Sequence, residues 1–161
     1  LSLFLFICLI STGFYACQQE GATKEAVNPM SSAEYNYLTT EYVKNVEGAM
    51  GNSLEKKEVY TKVVKSNFHG EDANYTFTAY DIHRKGEGAP IAIWVKLDID
   101  RLYSTLGEHT RKQETKYLCI PSGKASDALH TKYNEEVEKL GFKDYEVYLS
   151  NLSRLLADLY L

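Results

Sequence analysis

The chain has 161 residues, of which 44% are hydrophobic and 25% charged, proportions that exclude both a disordered polymer and a bundle of membrane spans. A formal net charge of −4 argues against nucleic acid, which needs a clustered basic face, and against a basic patch for anionic headgroups. Three cysteines are too few for a disulfide scaffold, so the fold rests on its core.

From Leu3 to Ala16 there is no charge, and Gln18, Gln19 and Glu20 follow at once after Cys17. Such a run is too short to span a bilayer stably and has the length of a secretory signal core. The stretch Gly13-Phe14-Tyr15-Ala16-Cys17 resembles the lipobox of bacterial lipoproteins. Ala16 fits the small residue before the cut and Cys17 the lipid acceptor, while Phe14 stands where the family usually has Leu. The resemblance implies a signal peptide over residues 1–16, removed on maturation. It also implies fatty acyl chains of the palmitate type on Cys17, and a mature protein anchored at a membrane of the bacterial cell envelope, on its periplasmic or outer-membrane face. Two or more chains hold a protein durably, at about 0.8 kcal/mol per buried CH₂. An ordinary cleaved signal and a retained anchor are the alternatives. The sequence opens on Leu1 without a Met or a basic start, which predicts that a few residues precede it. With Cys8 in the leader and Cys17 acylated, Cys119 is left as a lone free thiol.

Residues 17–30 are small and polar and read as a flexible tether to a single domain over 31–161. Ser31-Ser32-Ala33-Glu34 forms a capping box, and Tyr35, Leu38, Tyr42 and Val46 follow at helical spacing, with Gly48 and Gly51 at the end. The period then drops to two. Strands are expected over Glu58–Phe68, Asn74–Arg84 and Ile91–Asp98, separated by turns at His69-Gly70-Glu71-Asp72 and Lys85 to Pro90. Ile99 to Glu114 reads as a short helix around Leu102 to Leu106 and then a polar loop. A short fourth strand, Lys116 to Ile120, stops at Pro121. Two helices finish the chain: one with Leu129, Tyr133, Val137 and Leu140, closed by Gly141; the other with Tyr145, Tyr148, Leu149, Leu152, Leu156 and Leu159.

This order predicts an α+β domain. It has an N-terminal helix, an antiparallel sheet of about four strands, and two C-terminal helices packed on one face. Glu34-Tyr35-Asn36-Tyr37-Leu38 and Tyr117-Leu118-Cys119-Ile120-Pro121 are similar to segments of small uncharacterised bacterial lipoproteins. That likeness agrees with the fold and brings no activity with it.

Candidate chemistry is sparse. Asp81 and His83 share one face of a strand and, with His69 across a turn, offer a possible metal-ligand set. Arg84 and Lys85 beside them favour a solvated strand end instead. Asp98 and Asp100 also share a face, which suits acid–base work only if a second motif fixes their partners. Trp94 and exposed tyrosines are candidate ligand contacts in a chain with thirteen Tyr and one Trp. Cys119 could act as a nucleophile with His109 or His130 as base, but its neighbours Leu118 and Ile120 favour an inert thiol in the core. Pro121-Ser122-Gly123-Lys124-Ala125-Ser126 lacks the first Gly and the final Ser or Thr of a phosphate-binding loop, and reads as a cap to the next helix.

No catalytic set, metal site or cofactor is assigned from these residues. The expectation is a lipid-anchored envelope protein whose non-enzymatic domain binds another envelope protein or a small polar ligand, and not nucleic acid. The alternative is a small-molecule- or metal-dependent enzyme whose site leaves no sequence motif.

Overall fold

The period-two signal becomes an antiparallel meander in a computed structural model, which describes residues 28–68 and 71–160. Its strands are β1 (Leu54–Phe68), β2 (Glu71–Arg84), β3 (Ala92–Thr105) and β4 (Glu108–Pro121), hydrogen-bonded in the order β1-β2-β3-β4. The domain is therefore α+β around a four-stranded antiparallel sheet. The leader, Cys17, most of the tether and His69 lie outside the described residues.

The strands are longer than their apolar alternation suggests. In place of a helix at Leu102 to Leu106 and a loop beyond, β3 runs on to Thr105. A two-residue turn, Leu106-Gly107, then reverses the chain into β4. The polar run from Glu108 to Thr115 forms strand because β4 pairs with β3 along its whole length, which satisfies its backbone whatever its side chains are. A bulge between Glu58 and Tyr60 shifts the register of β1 on β2, so the residues of β1 change face there.

Alternation sends β3 side chains to two cores. Ile93, Val95, Leu97 and Ile99 join Tyr75, Phe77 and Ala79 of β2 on one face. The helices α2 (Asp127–Glu138) and α3 (Phe142–Tyr160) meet that cluster through a few side chains: Val137, Tyr148 and Leu155, with Leu140 from between them. Ala92 and Trp94 point the other way, into a second cluster with Ile82, Cys119 and Leu129.

The N-terminal segment supplies the rest of that second cluster with Met30, Tyr35, Leu38 and Tyr42. It is not the regular helix its stripe predicts. Following the capping box at Ser31, α1 (Ser32–Asn36) gives way to a π turn over Tyr37–Glu41 and a 3-10 turn over Tyr42–Lys44. Thr39 and Thr40 donate side-chain hydrogen bonds to the carbonyls of Tyr35 and Asn36, which competes with the regular ladder at this point. The packed body also starts earlier than Ser31: Met30 is 3% exposed, and Arg84 donates to the carbonyls of Asn28 and Pro29.

Candidate functional site

The N-terminal segment covers only part of its sheet face. Beyond Tyr80 and Trp94 comes a rung of Thr61, Thr78, Lys96 and Tyr117, after which the same face continues for three further rungs with nothing among the described residues packed over them. In register across β1 to β4 these are Val63, Thr76, Asp98 and Thr115; then Lys65, Asn74, Asp100 and Gln113; then Asn67, Asp72, Leu102 and Arg111. Period two explains their placement, since apolar partners at Tyr75, Phe77, Leu97 and Ile99 fill the opposite, covered face. Two hollows of about 700 and about 500 Å³ lie on this surface and share Asn74 and Asp100, forming one open trough.

The walls of the trough carry more carboxylates than cations. Lys65 and Arg111 stand against Asp72, Asp98, Asp100 and Glu114, and most of them are already engaged, Glu114 with Lys116 at 3.4 Å. Arg111 grips Asp100 with two contacts of 2.8 and 2.7 Å, and that guanidinium holds the Asp100 carboxyl below its ordinary value. The Thr115 hydroxyl donates to Asp98 at 2.6 Å, and Lys96 lies 3.4 Å from the same carboxylate. The Asn67 amide donates to Asp72 at 2.5 Å. Asn74, Gln113 and Thr76 have no side-chain partner among the described residues, which leaves donors and acceptors together between walls that are net acidic.

A ring of aromatics closes the trough's inner end. Trp94 stacks on Tyr117 at 5.1 Å and lies against Tyr42 and Tyr80. The Lys56 ammonium sits 5.0 Å from the Tyr80 centroid, 5.1 Å from that of Tyr42 and 5.7 Å from that of Trp94. Lys56 thus occupies an aromatic cage, pinning the N-terminal segment to the sheet.

The sequence candidates fall elsewhere. Trp94 is wholly buried and its indole N–H donates to the Leu38 carbonyl at 3.0 Å, so no face of the ring is left for a ligand. Asp81 and His83 do share a face of β2, paired with Lys57 and Glu55 of β1. No cluster of three His, Cys, Asp or Glu able to hold a metal forms among the described residues. Asp98 and Asp100 share a face as expected, yet each is tied to its own partner, so they do not form an acid–base pair. Cys119 is buried, and burial pushes its thiol up to about 12, leaving no thiolate for nucleophilic work. His109 bonds Ser104 at the far end of β4, roughly 34 Å along the strand from Cys119 at ~3.4 Å per residue. The loop after Pro121 leads into α2 with Ser126 as its N-cap residue, without a side-chain cap bond.

Sequence reading missed the trough because half of it belongs to the polar stretch of β4. The signal available was the second face of the meander, where Thr76 and Thr78 alternate with buried Tyr75 and Phe77. Among the described residues no helix is long and apolar enough to cross a membrane. No family model matches the chain, and no curated protein and no solved structure matches it.

Proposed function

We propose that this chain is a non-enzymatic binding module, lipid-anchored in the bacterial cell envelope through Cys17, with the open trough as its ligand surface. One observation carries the reading: the trough lies at the end of the sheet away from the point where the chain enters. Arg84, which clamps the carbonyls of Asn28 and Pro29, is about 34 Å along β2 from Asn74 at ~3.4 Å per residue. A body tied at that end by a flexible tether has its free polar rungs at the end farthest from the attachment, clear of it in any orientation. In this arrangement the two C-terminal helices serve as the brace of one sheet face, and the N-terminal segment wedges the inner end of the other. The excess of carboxylates in the walls, most of them already paired, favours a neutral polar ligand, either a small molecule or a polar segment of another envelope protein, over nucleic acid or an anion.

The test has two arms. Cys17→Ser is expected to move the protein from the membrane to the soluble fraction without changing its melting temperature. Asn74→Arg with Thr76→Arg is expected to keep the membrane location and the melt, and to abolish crosslinking of the trough to envelope components. A Cys17→Ser protein that still fractionates wholly with membranes ends the anchor reading. Unchanged crosslinking in the double variant ends the trough reading.

A further inference from the structure

The last helix, α3, turns its more apolar side away from the sheet. Its inward stripe is Asp144, Tyr148, Asn151 and Leu155, all buried, and half of it is polar. Its outward stripe is Phe142, Tyr145, Leu149, Leu152 and Leu156, with no polar group apart from the Tyr145 hydroxyl. Tyr145 and Leu152 reach the edge of the core, whereas Phe142, Leu149 and Leu156 are 77%, 36% and 39% exposed. Those three are half of the six large apolar side chains left exposed among the described residues, and each is one heptad from the next. Single exposed leucines are ordinary surface, but a row at heptad spacing is the seam of a helix pair.

Polar contacts hold the helix in this rotation. Arg101 grips both Asp144 oxygens, the Tyr75 hydroxyl donates to the same carboxylate at 3.0 Å, and the hydroxyls of Tyr133 and Tyr148 meet at 2.6 Å. Burial of apolar area alone would turn Leu149 and Leu156 inward and Asp144 out. The structure keeps the reverse, which fixes the apolar row at the surface.

The spacing and the rim say what covers it. Tyr145, Leu149, Leu152 and Leu156 are separated by four, three and four residues, a run that reads the same in both directions. An antiparallel copy of the helix therefore sets Tyr145 against Leu156 and Leu149 against Leu152 of the second chain, each twice, as a and d positions do. On the solvent side the row is bordered by exposed Glu146, Ser150, Ser153 and Ala157, while Lys143 turns to Glu71 at 2.8 Å. Arg154 and Asp158 fall on the opposite side of the helix. In the antiparallel pair Glu146 comes level with Ser153 of the copy, so no carboxylate meets a carboxylate, and the small neighbours let the two helices close. A lipid surface would need Lys or Arg free along that border, where Glu146 is the charge instead. We infer that α3 is the interface of a homodimer, packed antiparallel on α3 of a second copy through this row. Because α3 lies on the sheet face opposite the trough, the pairing leaves both troughs open.

Glu146→Cys and Ser153→Cys versions of the full chain, expressed together and treated with a short bismaleimide before lysis, test this. A covalently linked pair of chains is expected, with much less from either version alone, because antiparallel packing sets like positions apart. Adding Leu149→Lys to both versions is expected to cut the linkage roughly tenfold or more, since an ammonium would sit in the middle of an apolar seam. The dichroism of the purified Leu149→Lys protein should match the parent's, and Leu156→Gln supplies a second exposed variant with the same loss. The inference is overturned if no linked pair forms, if each version links as strongly to itself, which is parallel packing, or if the linkage survives Leu149→Lys. Binding of the protein to phosphatidylglycerol vesicles that depends on Leu149, without a linked pair, identifies a lipid-facing helix and overturns it as well. The result does not depend on Cys17 or on the trough.

Discussion

Arg84 and Glu34 are fifty positions apart in sequence and meet through two contacts of 2.7 and 3.0 Å. Glu34 is at the same time the reciprocal half of the capping box, accepting from the Ser31 backbone N–H at 2.8 Å. One carboxylate therefore starts α1 and bolts it to the end of β2. The remaining guanidinium hydrogens reach the carbonyls of Asn28 and Pro29, so a single side chain fixes where the chain enters the body.

Arg84→Ala is expected to loosen the N-terminal segment and cost about 1–2 kcal/mol, since the pair is charge-assisted but not fully desolvated. Trp94, the single tryptophan, lies beneath that segment and reports on it directly. Its fluorescence should shift to longer wavelength in the variant, with far-ultraviolet dichroism nearly unchanged. Acid should act in the same direction. The hydrogen bonds from Arg84, against the opposing effect of burial, hold the Glu34 carboxyl below its ordinary value, so the unfolded chain binds the extra proton first. The stabilisation is complete above the unfolded pKa of about 4.3 and is lost as pH falls through the lower folded value. Trp94 emission followed from pH 6 to pH 2 measures the loss, and the Arg84→Ala protein should show a smaller transition.

Arg101 and Asp144 form another long-range pair, and this one is buried: their side chains are 11% and 5% exposed. Arg101 Nη2 reaches both Asp144 oxygens at 2.6 and 2.5 Å, and the Tyr75 hydroxyl donates to Asp144 at 3.0 Å. The pair ties the first turn of α3 to the sheet, where apolar contact between the helix and the strands is thin. Asp144→Ala leaves the buried guanidinium with only Glu71, 3.6 Å away and shared with Lys143, and is expected to cost about 3 kcal/mol by denaturant melts. Arg101→Met combined with Asp144→Leu should recover much of that loss. If the double variant is as unstable as the single one, the tie rather than the unpaired charge is what matters.

Much of the architecture is legible in the residues. The capping box at Ser31, the alternation through Tyr75 to Ala79 and Ile93 to Leu97, and the amphipathic spacing of the last two segments each map onto an observed element. What is illegible has a common cause. In Glu108 to Thr115 both faces are polar, so period carries no signal, and pairing with β3 alone decides the conformation. Leu106-Gly107 is likewise not a turn that composition announces. Trp94 misleads for the opposite reason: an amphipathic ring suits a ligand platform or a core edge equally, and only the position of Leu38, distant in sequence, settles it. The trough itself needs four strands in register before its rungs exist, and no local pattern encodes that.

Cys119 offers a kinetic test of the second core. Its thiol, pushed up to about 12 by burial from the ordinary 9.0, should resist alkylation in the native protein at pH 8. Labelling at Cys119, read by peptide mass spectrometry, should follow the rate of opening of the domain and accelerate in Arg84→Ala, whose N-terminal segment covers that core. Fast labelling in the native parent would mean that the cluster under α1 opens without unfolding.

Leu106 is strained for its position. It adopts φ 48° beside Gly107 at φ 86°, and its side chain is wholly exposed, so nothing in the described residues offsets the left-handed backbone. Two positive φ values in a two-residue loop are what a right-twisted hairpin needs, and Asn-Gly supplies them with the least strain. Leu106→Asn is therefore expected to stabilise the domain by about 1 kcal/mol, raising the melting temperature by a few degrees. The gain should appear as slower hydrogen exchange in the last rungs of β3 and β4, from Tyr103–Thr110 to the turn, with the Trp94 end unaltered. Should Leu106→Asn leave exchange and melting unchanged, the hairpin closes through the β3–β4 ladder alone and the turn residue sets nothing.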